Sequence, residues 1–207
     1  MRSIYKLVVC SLLTLSITSC EKDLLDKEQY QKEIYLIGAY NRVWTTEVSY
    51  SNEEVKTYFT VSSSGTLALD RDVNVKMKIN EELVDIYNKK YWTVLNEDKY
   101  YKSLDTDLYS IPSLENTVIK HAEGISAEVP VLIKTASLKI DQSYVIPVEI
   151  ESTTGYPIST SGCKMLVLLK LKNDYSGNYQ MSGHTTLEGE TPKTIQKPKT
   201  IKPTGVN

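Results

Sequence analysis

Val73-Asn74-Val75-Lys76-Met77-Lys78-Ile79 alternates apolar and polar residues without a break. Successive side chains on a strand point to opposite faces, so this is the period of a strand with one buried and one wet face. The pattern recurs downstream. Ile125, Ala127, Val129, Val131 and Ile133 share one face of a second segment, and Tyr144, Ile146, Val148 and Ile150 one face of a third. Strand-like runs also cover Ile34–Ala39, Val55–Val61, Thr117–Lys120 and Lys164–Leu171. Around the last of these, Cys163, Met165, Val167, Leu169 and Leu171 fall on one face while Leu166 and Leu168 fall on the other, so burial on both sides is expected. Val129-Pro130-Val131 and Ile146-Pro147-Val148 each carry a central proline. Proline cannot donate to a ladder, which predicts sheet edges or bulges at both places. Asn80 can cap a short helix with Glu81 and Glu82 in its first turn and Leu83, Ile86 and Tyr87 on one face. Seven short strands and one helix predict an all-β, immunoglobulin-like antiparallel β-sandwich.

The chain around this core has 207 residues, a formal net charge of −2 and 41% hydrophobic residues, which is ordinary globular composition. Nearly balanced charge excludes a strongly basic nucleic-acid binder. The N-terminus reads as a processing segment. Arg2 and Lys6 precede an apolar run of 11 residues, Leu7 to Ile17, too short for the ~20 residues that span a membrane but right for a secretory signal. It ends Ile17-Thr18-Ser19-Cys20, which resembles the lipobox of bacterial lipoproteins. That resemblance implies a signal peptide over residues 1–19, lipid on Cys20, and attachment to a membrane through that anchor. Several acyl chains at about 0.8 kcal/mol per buried methylene hold a protein stably where one chain is marginal. With Cys10 removed and Cys20 acylated, Cys163 is left without a disulfide partner and is expected as a small buried hydrophobe.

Residues 20–33 are dense in charge and read as a solvated tether, 34–174 as the sandwich domain, and 175–207 as either a tail or the start of a truncated second domain. No aromatic residue follows Tyr179, and so polar a stretch cannot bury enough surface to offset its ordering entropy.

Tyr40-Asn41-Arg42, Ser64-Gly65-Thr66, Asp70 with Asp72-Val73-Asn74-Val75, Tyr87-Asn88, Tyr109, Tyr144-Val145-Ile146-Pro147-Val148 and Asn173-Asp174-Tyr175-Ser176-Gly177 occur in this order. The set resembles an uncharacterised N-terminal domain of Bacteroidetes surface lipoproteins, which in some members precedes an endo-β-N-acetylglucosaminidase domain and in others a lectin-like one. The resemblance implies a sandwich, an outer-membrane location facing the cell surface, and a role near glycan capture. It brings no catalytic or binding residues with it.

Chemistry is sparse. Glycoside hydrolysis usually needs two carboxylates, and the closest run, Asp70-Arg71-Asp72-Val73-Asn74, has Asn where a catalytic Glu would stand. The same run imitates a calcium loop through Asp70, Asp72, Asn74 and Glu81, but Val75 occupies the place of the turn glycine and the residues sit in an alternating strand. Asp105 and Asp107 read as a solvated loop, and His121 and His184 lack metal-ligand spacing. The expectation is therefore a protein without enzymatic activity, cofactor or metal. Aromatics remain. Tyr91, Trp92, Tyr100 and Tyr101 are interleaved with polar residues near Asp105 and Asp107, the mixture of flat rings and hydrogen-bonding groups that suits a sugar. These four are the candidate ligand-binding residues, although tyrosine is also a natural strand residue and Trp92 could anchor the core; Trp44, beside Tyr40, is expected in the core. The expected function is a lipid-anchored surface module that captures an oligosaccharide or a glycoprotein glycan. A spacer for a glycan-degrading enzyme and an adhesin subunit that binds protein are the alternatives.

Overall fold

The alternating segments pair into two sheets that bury their apolar faces against each other. The computed structural model describes residues 27–186, 188, 191 and 193–204; the expected signal peptide, Cys20 and the start of the charged segment lie outside them. The first sheet has the order β1 (Ile34–Leu36), β3 (Glu54–Ser63), β8 (Ser126–Lys134), β6 (Tyr109–Ser110). The second runs β2 (Val43–Ser49), β10 (Lys164–Lys172), β9 (Tyr144–Thr153), β4 (Val73–Ile79), β7 (Thr117–Ile119), with β5 (Lys102–Ser103) also paired to β9. Most pairs are antiparallel, while β2–β10 and β5–β9 are parallel.

Side-chain alternation decides what fills the space between the sheets. Val73, Val75 and Met77 of β4 point inward and are buried, while Lys76 and Lys78 face water and pair with Glu151. Phe59, Val61, Val129, Val131 and Ile133 meet Ile146, Val148, Met165 and Val167 across the core. The fold is an all-β sandwich, as the period-2 pattern predicts.

β10 is buried on both faces. Its Met165, Val167 and Leu169 belong to the main core; Leu166, 2% exposed, belongs to a second cluster with Val145 and with Val84 of the helix α1 (Glu82–Tyr91). The helix starts where the sequence places it. Asn80 Oδ1 accepts a hydrogen bond from the Glu82 N–H at 3.2 Å, and the Asn80 N–H donates to the Pro147 carbonyl. Val84 and Asn88 form its buried side, with Leu83 and Tyr87 packed beside them. Burying side chains such as Val84 and Leu166 stabilises this junction by roughly 1.5–3 kcal/mol each.

The two strand prolines differ. Pro130 opposes Tyr58 on one side, and β6 reaches only Leu132 and Ile133 on the other, so its nitrogen faces an unpaired edge. Pro147 departs from the expectation of an edge or bulge, because it lies in a central strand opposite Leu166. The Leu166 N–H donates to the Arg42 carbonyl on the β2 side, so this is a non-hydrogen-bonded pair and the Pro147 nitrogen faces β4. There β4 ends at Ile79, opposite Val148; the next residue, Asn80, donates its N–H to the Pro147 carbonyl, and its own carbonyl accepts from the Leu83 N–H, so it does not need the donor that proline lacks.

Trp44 also departs from expectation. It sits at the sandwich rim in β2, 38% exposed, with its ring lying over Gly38. Cys163 is half-buried and packs on the main core. The end of the charged segment runs along the loop before β4: Glu28 accepts hydrogen bonds from the Thr66 and Leu67 N–H groups, and the Glu33 N–H donates to Ser64 Oγ. Beyond Tyr175, strands β11 (Gly177–Thr185) and β12 (Lys193–Ile201) form an antiparallel ribbon of nine residue pairs. Its residues are almost all exposed. The composition argued against burial there, and backbone pairing rather than burial orders the segment.

Gly38 has φ +89°, and a Cβ built on it would lie 2.6 Å from Trp44 Cε3. Gly38→Ala is therefore expected to cost about 2–4 kcal/mol, from left-handed strain and overpacking together. In a Trp44→Ala background only the strain of about 1–2 kcal/mol should remain. Urea unfolding of the double-mutant cycle checks this; equal costs in both backgrounds would refute the packing account.

Candidate functional site

The sequence-predicted aromatics gather around the C-terminal end of α1, and Tyr87 joins them. Its ring stacks on Tyr101 with centroids 5.1 Å apart at 10°, and meets Tyr91 at 4.5 Å and 35°. The backbone locks the same contact: Asn88 Nδ2 donates to the Tyr101 carbonyl and the Tyr101 N–H donates to Asn88 Oδ1, both at 2.9 Å. Burial, followed by the Tyr101 hydroxyl beside it, pushes the Tyr87 phenol up to about 12. Trp92 ends the helix half-buried, with Lys99 over its ring and its indole N–H shielded from solvent without a hydrogen-bond partner among the described residues. Tyr91 is half-exposed, with Lys90 over its ring. Thus Tyr101 braces the loop, while the half-exposed Tyr91 ring has Tyr87 and Lys90 against it. Trp92 and Tyr100 are half-buried, and no ring contact joins either to the Tyr87 stack. Asp105 Oδ1 accepts from the Asp107 N–H in a local turn.

Tyr87 also lines a cleft of about 240 Å³ beside the helix. Tyr40 and Arg42 come from the short turn before β2. Ile86 and Tyr87 come from α1, and Thr160, Ser161 and Lys164 from the entrance to β10. Tyr40 is 83% exposed, so its ring stands free at the mouth. Among the described residues no carboxylate lines the cleft. Sequence reasoning did not single out Tyr40, Arg42 or Tyr87 as site residues. The available signal was that Tyr40-Asn41-Arg42 and Tyr87-Asn88 both belong to the motif set, and that Tyr87 shares a helix face with Leu83 and Ile86.

Arg42 has φ +61°, the only positive φ of a non-glycine residue among the described ones. Its N–H donates to the Ala39 carbonyl, and its carbonyl accepts from the Leu166 N–H, both at 2.8 Å. Lys164 pairs with Glu149 at 3.2 Å. The other Glu149 oxygen accepts from Asn80 Nδ2 at 2.5 Å, tying the helix start to β10. A second groove, about 420 Å³, lies between β10 and the ribbon, but its Lys170 and Lys172 are both held by Glu47. Those two lysines keep the Glu47 carboxyl down at about 2.

The other acidic and histidine positions have local partners. Asp70 pairs with Arg71 and accepts from the Tyr156 hydroxyl. Asp72 meets His121 Nδ1 at 2.7 Å. His184 lies opposite Thr194 in the ribbon. Among the described residues no group of three His, Cys, Asp or Glu could hold a metal ion, and no helix is long and apolar enough to cross a membrane.

Glu149 yields a pH test. Burial raises its pKa, but the Asn80 amide and the Lys164 ammonium outweigh burial and hold it below the ordinary 4.5. A carboxylate depressed in the folded state stabilises above its unfolded pKa, and that stabilisation is lost as pH falls through the folded value. Glu149→Gln should therefore melt below the parent at about pH 7, with the gap closing at about pH 3. A gap that persists unchanged in acid would rule out this charge linkage.

Comparison with known proteins agrees with the fold. No curated protein matches. A multidomain protein from Bacteroides ovatus superposes with TM-score 0.58 at 20% identity, over 81% of this chain and 54% of that one. An auxiliary nutrient binding protein from Bacteroides thetaiotaomicron gives TM-score 0.55 at 16% identity, over 80% of this chain and 56% of its own. A Bacteroides ovatus protein proposed to bind carbohydrate gives 0.52 at 17%, over 76% and 43%. The chain thus spans about half the length of these solved structures. A family model described as an N-terminal domain matches residues 30–157, and a companion model described as C-terminal matches residues 163–207. With more than half of its length matched by the first model, the chain belongs to this N-terminal domain family, the one its motifs resemble.

Proposed function

We propose that the protein is a non-catalytic module that captures glycan at the cell surface, held there by lipid on Cys20. The observation that carries the binding reading is the cleft beside α1. It sets a free Tyr40 ring and the Tyr87 ring next to hydroxyls, a guanidinium and an ammonium. Aromatic faces stack on the C–H surface of a sugar, and polar groups at the rim take its hydroxyls, which is the balance a small-ligand cleft needs. No carboxylate lines the cleft among the described residues, which favours binding there over glycoside hydrolysis, a reaction that usually needs two. The relatives described as nutrient-binding or proposed to bind carbohydrate support the same direction. Anchoring rests on the Ile17-Thr18-Ser19-Cys20 sequence and its apolar leader.

Two measurements test these parts separately. Tyr40→Ala removes an exposed ring, so glycan binding on an array should fall about tenfold or more with the melting temperature unchanged. Equal binding by the variant would remove the cleft from consideration. Cys20→Ala should move the expressed protein from the membrane to the soluble fraction, and continued retention in the membrane would refute lipid attachment there.

A further inference from the structure

Arg42 is a cation with no carboxylate partner among the described residues. The chain has three arginines. Arg2 lies outside the described residues, and Arg71 makes a two-pronged contact with Asp70. Several lysines on the sheet surfaces are engaged: Lys76 with Glu151, Lys120 with Glu123, Lys170 and Lys172 with Glu47. Lys164, which also lines the cleft, already has Glu149. The Arg42 guanidinium is exposed and meets no carboxylate among the described residues, and it stands at a cleft whose lining contains none.

Its backbone points the same way. Glycine or asparagine occupies φ near +60° at little cost, whereas a long L side chain is disfavoured there. Here the Ala39 carbonyl and the Leu166 N–H clamp that conformation and fix the side chain's point of departure beside Tyr40. A strained residue clamped at a cleft mouth is a pointer to function.

We propose that Arg42 makes the cleft selective for glycans carrying an anionic group, a carboxylate or a sulfate, with Tyr40 and Tyr87 against the sugar. A guanidinium presents two parallel donors that match the two oxygens of such a group, which a lysine ammonium does not. This inference rests on the glycan-binding reading of the cleft.

The experiment uses an array holding neutral glucan, mannan and galactan oligosaccharides beside uronate-, sialate- and sulfate-bearing ones, probed with the parent, Arg42→Asn, Arg42→Lys and Tyr40→Ala. Asparagine tolerates the left-handed conformation, so Arg42→Asn should keep the fold and its melting temperature. The parent should bind acidic probes in preference to neutral ones. Arg42→Asn should lose roughly tenfold or more on acidic probes, as expected for a charge-assisted hydrogen bond, and Arg42→Lys should recover only part of that. Tyr40→Ala should weaken whatever binds. Binding of acidic probes by the parent should also fall as salt is raised. If the parent binds neutral probes as well as acidic ones, or Arg42→Asn binds like the parent, the anionic selectivity is wrong while the glycan reading stands. If no probe binds, both are overturned.

Discussion

Burial of the outer face of β10 beneath α1 is the constraint on which the rest of the molecule depends. An antiparallel sandwich normally leaves its outer faces to water. Here Leu166 and Val145 point away from the main core and are nonetheless covered, because Val84, Leu83 and Tyr87 pack down on them. The helix must reach that face directly from β4, and the Asn80 contacts with Glu149 and Pro147 set its entry. Once α1 is seated, Asn88 is placed to clasp Tyr101, and β5 can follow alongside β9. The cleft lies beside the helix and the turn at Tyr40.

Tyr87 shows how one residue serves both sides of this arrangement. One face of the ring is stacked on Tyr101 and fixed by the Asn88 clasp, while the side chain also lines the cleft. A ring held by a stack and a buried amide presents a preorganised surface, so little rotamer freedom remains to be lost when a ligand packs on it. Tyr40 contrasts with it, being free at the mouth, and Arg42 adds a charge from a clamped backbone. The three residues come from two segments separated by more than forty positions, joined only through the packing of α1 on β10.

That separation explains what the sequence made legible and what it left hidden. Strands with one buried face announce themselves by period, and β4, β8 and β9 were readable for that reason. β2 was not, since among its seven residues only Val48 is buried and its register is set by a parallel partner far along the chain. β5 and β6, at two residues each, are too short to carry any period. Pro147 reads as an edge residue from its chemistry; that the neighbouring strand stops one residue short of it is a tertiary fact. The aromatic run from Tyr91 to Tyr101 was visible because the residues are close in sequence. The cleft was not, because Tyr40 and Arg42 look like an ordinary turn until the fold brings them to the helix.

The boundary between the two family models carries a physical tension that the structure resolves. The N-terminal model ends at residue 157 and the C-terminal one begins at residue 163, so β10 falls to the second. Yet β10 lies between β9 and β2, fills the main core with Met165, Val167 and Leu169, and seats the helix with Leu166. Without it, β9 would lose one ladder, β2 would have no partner in its sheet, and Arg42 would lose the Leu166 N–H that clamps its backbone. The folding unit therefore runs through residue 172, and the sequence boundary marks a joint between families rather than between cores. The ribbon of β11 and β12 begins only after the turn at Asn173, where Ser176 Oγ accepts from the Asn173 N–H and donates to its side chain. A strand that completes one sheet thus leads directly into the ribbon through that turn.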